Sequence, residues 1–355
     1  MRKSVLLILQ FVLTVRSTIH KPACCHDNCY STVDLISNCR CSAEKHDVTT
    51  EDGYILQMQR IHSCYSTPYA IAKPVVLIVH GIFSTSNDFV LHCNQSLGFK
   101  LAELGYDVWL GNLRGNPYSR SHVKLDPDAS EFWDFRRIRA AVAMAPLAYM
   151  SGVTSHVMNV LAKLCKPLRN VIGKNRDKEI LPHTDIHTSL ALKTCCISEI
   201  SCRKFFKTTN FNDDINIDTD ILPQIMCYNP TGSSLGTFSH YLQLINSGEF
   251  QHYDWGKKKN MEVYGSHKPP AYPLCDINSP IIMVVSQSDQ IATYKNARRI
   301  CEEIGDNCEL YLVQDTSLSH MDFVFSRQAP YEIYNNVVSY VQLNSPVPFT
   351  PLSLR

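Results

Sequence analysis

The chain has 355 residues, of which 45% are hydrophobic and 19% charged, a composition that excludes a disordered, fibrous or low-complexity polypeptide. Lys and Arg number 34 and Asp and Glu 33, so the formal net charge is +1. Such a balance supplies no overall field to draw the chain to nucleic acid or to an anionic membrane.

Arg2 and Lys3 precede an apolar run over 5–15, broken only by Gln10 and Thr14, and the small residue Ser17 follows. This pattern predicts a secretory signal peptide over 1–17. The run is too short to span a bilayer, and no later stretch approaches the roughly 18 apolar residues a spanning helix needs. A soluble chain in an oxidising compartment, secreted or lysosomal, is expected. Fifteen cysteines suit that compartment, and Cys24, Cys25, Cys29, Cys39 and Cys41 crowd into a Cys-rich segment over 18–45. Zinc is the sharper reading of that cluster, but the spacing lacks two clean CxxC pairs, so disulfides are expected. The odd count leaves at least one thiol outside any intrachain pair. Asn94-Gln95-Ser96 is an N-x-[ST] sequon, which makes Asn94 a glycosylation candidate.

Residues 46–61 alternate around Asp52-Gly53, the signature of a β-hairpin. The β-branched run 75–79 predicts a strand buried on both faces, ending at His80-Gly81. Leu97, Leu101 and Leu104 recur at helical spacing up to Gly105, and 106–110 is a further short strand. Strand, helix, strand implies a right-handed crossover and a mostly parallel sheet. The same grammar returns over 274–342: strands at 280–285 and 310–313, and helix faces marked by Tyr294, Ala297, Ile300 and Ile304 and by Tyr334, Val337, Val338 and Val341. Between the halves, 151–273 lacks strand and helix alternation and reads as an inserted cap. The core is thus split into 46–150 and 274–342, with a Pro-rich and Ser-rich tail over 343–355.

Asp289 and His320 each follow a predicted strand, where open α/β sheets place their sites. In a serine hydrolase of this sheet type the order is nucleophile, acid, His, which these two fit as the last members. Each also has a plain reading, a turn-forming Asp and a surface His. His80-Gly81-Ile82-Phe83 follows a strand as well, where the Ile82 N–H could supply half of an oxyanion hole.

Several blocks together, 46–56 (HDVTTEDGYIL), His80-Gly81, 105–112 (GYDVWLGN) with Arg114-Gly115-Asn116, Glu131-Phe132-Trp133, Ala143-Met144-Ala145-Pro146, Tyr228-Asn229-Pro230, Tyr253-Asp254-Trp255-Gly256 and 319–323 (SHMDF), resemble the acid lipases of the gastric and lysosomal type. The resemblance covers about 40 to 341. It implies an α/β-hydrolase fold with a helical cap, hydrolysis of triacylglycerols or steryl esters at a lipid surface, and no metal or organic cofactor. By position it makes Asp289 and His320 the charge-relay pair and Ile82 the oxyanion residue, although Ser286-Gln287-Ser288-Asp289 lacks the glycine the family often has before its Asp. It also implies that Cys202 pairs with Cys195 or Cys196 in the cap.

The chain departs from the family at the nucleophile. Where the family has a helix, a strand, the Gly-His-Ser-x-Gly elbow and another helix, Phe135 here runs through Arg136-Arg137-Ile138 into a strand at 140–145. Such a segment needs on the order of 50 residues. One G-x-S-x-G remains, Gly232-Ser233-Ser234-Leu235-Gly236, but Asn229-Pro230-Thr231 before it is turn chemistry rather than a buried strand. The expected product is a lipase-family chain that lacks its serine and is inactive, with an incomplete sheet exposing apolar surface between the strands at 106–110 and 140–145. A non-catalytic lipid-binding protein and an esterase using Ser234 are the alternatives.

Overall fold

The computed structural model describes residues 29–64, 73–133, 143–165 and 221–343, together with 175, 177–182, 184, 189–190, 192–195, 198, 200–204 and 217. The signal segment, Cys24, Cys25, Phe135, the run 136–142 and most of the tail lie outside the described residues. A short helix α1 (Thr32–Asn38) starts the fold, its first turn closed by the reciprocal Ser31 and Asp34 capping box. The predicted hairpin follows as β1 (Ser42–Thr49) and β2 (Tyr54–Ser63), antiparallel with Thr49 opposite Ile55. Gly53 turns it at φ +92, and a Cβ there would meet the His122 ring at 2.7 Å.

Then come β3 (Val75–Val79), α2 (Leu97–Glu103) and β4 (Asp107–Gly111). The crossover makes β3 and β4 parallel, and β4 also pairs antiparallel with β2, so the order is β1-β2-β4-β3. β5 (Ser121–His122) adds to β2. A separate parallel sheet runs β10-β9-β6, from β6 (Ala143–Met144), β9 (Ile281–Val285) and β10 (Cys308–Leu312). Ile78, Val108 and Leu110 of the first sheet share a single core with Ile282 and Val284 of the second.

Across 151–273 the described elements are mostly helical: α3 (His156–Cys165), α4 (Leu222–Tyr228), α5 (Leu235–Ser247) and α6 (Lys257–Tyr264). The strands there are two residues each, β7 (Glu179–Ile180) and β8 (Ser233–Ser234). The C-terminal half supplies α7 (Tyr294–Ile304), α8 (Asp322–Phe325) and, after a π-turn at Pro330–Tyr334, α9 (Asn335–Leu343). Among the described residues no helix is long and apolar enough to cross a membrane.

Two sequence expectations are corrected. The strand at 75–79 forms but is not buried on both faces: Val75, Leu77 and Val79 are 67%, 54% and 44% exposed, while Ile78 is buried. The strand bordering the gap is β3, not the one at 106–110, because β4 is flanked by β2 and β3. In the parallel ladder Asp107 N–H donates to Pro74 O, so the backbone groups of Val75, Leu77 and Val79 point away from β4. No strand among the described residues receives them.

The cysteines form disulfides rather than a metal cluster among the described residues. Cys29 joins Cys227, Cys39 joins Cys93 and Cys41 joins Cys64, so the N-terminal segment is bonded to distant parts of the chain. Cys195 joins Cys202, as the resemblance implies, and Cys301 joins Cys308. Closing 198 positions restricts the unfolded chain more than closing 7. Cys275 is an exposed free thiol.

An exposed ladder of three apolar side chains on an unpaired edge should bind an apolar-surface dye. Leu77→Lys should at least halve the dye signal with an unchanged circular dichroism spectrum. Equal dye binding by both proteins would show that this edge is covered in solution.

Candidate active site

The strongest geometry lies past the ends of β9 and β10. Asp289 is buried in the loop after β9, and His320 lies in the loop after β10, with its side chain 23% exposed. His320 Nδ1 and Asp289 Oδ2 are 2.8 Å apart, while Asp289 Oδ1 accepts the N–H groups of Ile291 and Ala292, each at 2.8 Å. A carboxylate so surrounded by donors fixes the imidazole with Nδ1–H toward it and leaves Nε2 as the free base.

Burial alone would raise the Asp289 carboxyl, but His320 and the two backbone donors outweigh it and hold it below the usual carboxylate range. Burial likewise works to lower His320, and the charge and hydrogen bond of Asp289 overcome that and raise it above 6.5. The two loops are laced together. Ser286 Oγ donates to Leu318 O at 2.6 Å, Ser288 Oγ donates to Thr316 O, and Asp322 accepts both the N–H and the hydroxyl of Ser319 at 2.7 Å.

Ile82 lies past the end of β3, in the other sheet, and is half-buried. Its turn is braced by His80, whose Nε2 accepts from Leu113 N–H at 3.0 Å and from Asn116 Nδ2 at 2.9 Å. Nδ1 therefore carries the proton and donates to Gly81 O at 2.7 Å. Burial pushes His80 down to about 4, so it is neutral. Asn116 donates to Asn112 Oδ1 at 2.8 Å, and Asn112 donates to Gln59 Oε1 at 2.8 Å and Ser86 Oγ at 3.1 Å. Arg114-Gly115-Asn116 can turn this tightly because Gly115 has φ +90 and any Cβ there would strike Trp133 at 2.5 Å.

Sequence reasoning assigned no role to Gln59, Ser86, Asn112, Asn116, Ser286 or Ser288. Asn112 and Asn116 lie within the block that carries the resemblance, but nothing in their spacing shows what they hold.

The His80–Phe83 turn is also tied to 229–231. Thr231 N–H donates to Phe83 O at 2.9 Å, and Phe83 sits at φ +62. Asp88, buried behind the turn, accepts from Ser84 Oγ and from Asn229 Nδ2, the latter at 3.3 Å. Desolvation pushes its carboxyl up to about 7.

Ser234 is the N-cap of α5. Its Oγ accepts Thr237 N–H at 2.9 Å and lies 2.9 Å from the Thr237 hydroxyl. β8, which carries it, is a two-residue strand paired only with β7, unlike the buried central strand that presents a nucleophile elbow. Asn94 is exposed in the turn Cys93–Gln95, beside the Cys39–Cys93 disulfide.

Residues 32–93 match the family described as partial alpha/beta-hydrolase lipase region. Lipase 1 of Drosophila melanogaster is 30% identical over 364 residues, covering 88% of this chain and 80% of that protein. The chain belongs to the acid lipase family of α/β-hydrolases. Lipase member K of mouse is 28% identical, covering 87% of this chain and 90% of that one, and bovine gastric triacylglycerol lipase is 28% identical, covering 84% and 87%. In this acid lipase family member the Asp289–His320 pair and the His80–Phe83 turn are each held by a polar network.

Two titrations test these networks. The His320 imidazole, followed by NMR, should titrate above 6.5, and Asp289→Asn should bring it below that value; an unmoved titration would mean the pair is not formed in solution. Asp88 has an ordinary value of 3.8 and a folded value of about 7. Its proton favours the fold at acid pH, and that contribution is lost as pH rises from about 4 through 7. Asp88→Asn should therefore flatten the fall of the melting midpoint over that window, a difference of up to a few kcal/mol. Identical slopes would place Asp88 in contact with water.

Proposed function

We propose that this chain is a lipid carboxylic ester hydrolase by descent, acting on triacylglycerol or steryl ester in lipid catabolism, whose nucleophile elbow is missing, so that the form with 355 residues does not turn over esters. In the active arrangement Asp289 orients His320, His320 Nε2 takes the proton of a serine, and the Ile82 N–H donates to the oxyanion. Here the serine is lacking, and so is the second oxyanion donor, the N–H of the residue after it. The observation that carries the reading is the interruption of the parallel sheet. Among the described residues β3 and β6 are each paired on one side only.

The alignments support it. The match to mouse lipase member K spans 363 positions, whereas 87% of 355 residues is about 309, so about 54 positions have no residue here, the size of the helix, strand and helix that would carry an elbow. The remaining assignments belong to the same reading: a signal peptide over 1–17, secretion or lysosomal residence, glycosylation at Asn94, and a cap over 151–273 set into the core segments 46–150 and 274–342. An esterase using Ser234 is disfavoured by the capping bonds of that hydroxyl. A non-catalytic lipid-binding protein is the second reading, since a dyad without a nucleophile leaves binding intact.

Purified chain should show no ester turnover above background and no labelling by a fluorophosphonate probe, in keeping with the roughly million-fold cost of removing a triad serine alone. Grafting a helix, strand, elbow and helix from a related lipase between Phe135 and Ala140 should restore both labelling and turnover, and His320→Ala should abolish the turnover again. Labelling of the unmodified chain that disappears in Ser234→Ala would overturn the proposal in favour of the esterase.

A further inference from the structure

Asp88 takes no part in the Asp289–His320 pair or in the bracing of His80, yet it stands buried where two distant stretches of chain meet. On one side is the turn 80–84, and on the other 229–231, the link from α4 into β8 and α5. Asp88 Oδ2 is in hydrogen-bond contact with Ser84 Oγ, and its Oδ1 accepts from Asn229 Nδ2 at 3.3 Å. Beside it Thr231 N–H donates to Phe83 O at 2.9 Å and Thr231 Oγ1 donates to Ser84 O at 3.2 Å. Asn229 and Thr231 are themselves buried, so these links are shielded from water.

Both partners of the carboxyl are neutral. A carboxylate enclosed by an alcohol and an amide is a buried charge without a counter-charge, which desolvation makes expensive. The protonated acid fits the same atoms. Its O–H donates to Ser84 Oγ, which turns its own proton to Thr85 O at 3.4 Å, while the other oxygen keeps the Asn229 bond. Tyr334 faces Asp88 from the π-turn, and burial and a charge on Asp88 both push its phenol up. Of the elements packed against Ser86–Phe89, β3 has no titratable side chain, β4 has Asp107 bonded to Arg60, α1 has Asp34 bonded to Ser31, and α8 has Asp322 bonded to Ser319. His80 is neutral and engaged by Leu113 and Asn116, and Tyr118, stacked on Tyr228, donates to Asn87 Oδ1 at 2.7 Å.

We propose that Asp88 is a positioning residue whose proton holds 229–231 against the His80–Phe83 turn, and that loss of the proton releases 229–231. The bracing decides which side yields. The turn is continuous with β3 and is held through His80 to the segment after β4, and Ser86–Phe89 is held by Thr32 Oγ1 on Asn87 Oδ1 and by Asn112 Oδ1, which accepts Ser86 N–H at 3.1 Å. The stretch 229–231 meets the turn through the three bonds around Asp88. Opening that lets water reach the carboxyl restores its ordinary value of 3.8, whereas the closed junction holds it at about 7. The open form therefore gains roughly tenfold per pH unit between those values and then levels off, since the proton favours the closed form. The junction is closed in an acidic medium and loosened in a neutral one, whether or not Ile82 faces an oxyanion.

The test is amide exchange of the full chain over a pH series, corrected for the intrinsic pH dependence of exchange. Protection of the Thr231 amide should fall on the order of 100-fold between about pH 5 and about pH 8 and then level. At the upper end it should lie below that of the amides of β4, which is paired on both sides, because the junction opens locally. Asp88→Asn, whose amide donates to Ser84 Oγ and accepts from Asn229 as the protonated acid does, should keep Thr231 protected to the same degree across the series. Thr231 protection that does not change with pH in the parent would overturn the proposal, whether or not the variant folds. So would a fall of equal size in Asp88→Asn. Thr231 and β4 exchanging alike at every pH would overturn it too, by showing global unfolding in place of a local junction.

Discussion

A parallel sheet depends on each strand being paired on both sides and covered on both faces, since a bare edge leaves N–H and C=O groups without partners and a bare face leaves apolar side chains in water. β3 lacks the outer partner among the described residues, and Val75, Leu77 and Val79 record it directly in their exposure. Trp109, on the same face of the neighbouring strand, is covered by the Arg60 guanidinium at 5.2 Å, and Arg60 is held by Asp107. Toward β1 the face thus becomes a polar surface that tolerates water. Toward β3 it remains apolar, the side on which an α/β-hydrolase continues its sheet.

Asp289 and His320 are braced by their own two loops, whereas the His80–Phe83 turn is held both by its own sheet and by 229–231. His80 is held by Leu113 and Asn116, which belong to the segment after β4. Asp289 and His320 are held by loops after β9 and β10, tied through Ser286 and Leu318.

Hydrophobic periodicity made the elements legible, because the hairpin at Asp52-Gly53, the crossover from β3 to β4 and the α7 face each obey a local rule. It misjudged β3, since five consecutive β-branched or leucine residues read as doubly buried when the sequence shows nothing of what covers them. The order of Asp289 and His320 was legible from strand ends. The bracing residues were not: Gln59, Asn112 and Ser286 are polar side chains in or beside strands, and only the folded arrangement shows that each is buried against a partner.

The disulfides fasten the N-terminal segment to distant parts of the fold. Cys29–Cys227 ties the N-terminal segment to α4, and α4 is followed by 229–231, the stretch that contacts the oxyanion turn through Thr231 and Phe83. Cys39–Cys93 and Cys41–Cys64 fasten α1 and β1 to the same half. Each bond limits how far the unfolded chain can expand, whether or not the central strand is present. Cys29–Cys227 joins residues on either side of 134–142, whereas each of the other described cross-links closes within one side. The two sides are joined by that bond and by the shared core of Ile78, Leu110, Val284 and their neighbours. The N-terminal segment thus reaches both sides of 134–142 through covalent bonds, and the packing of the shared core sets what those bonds leave free.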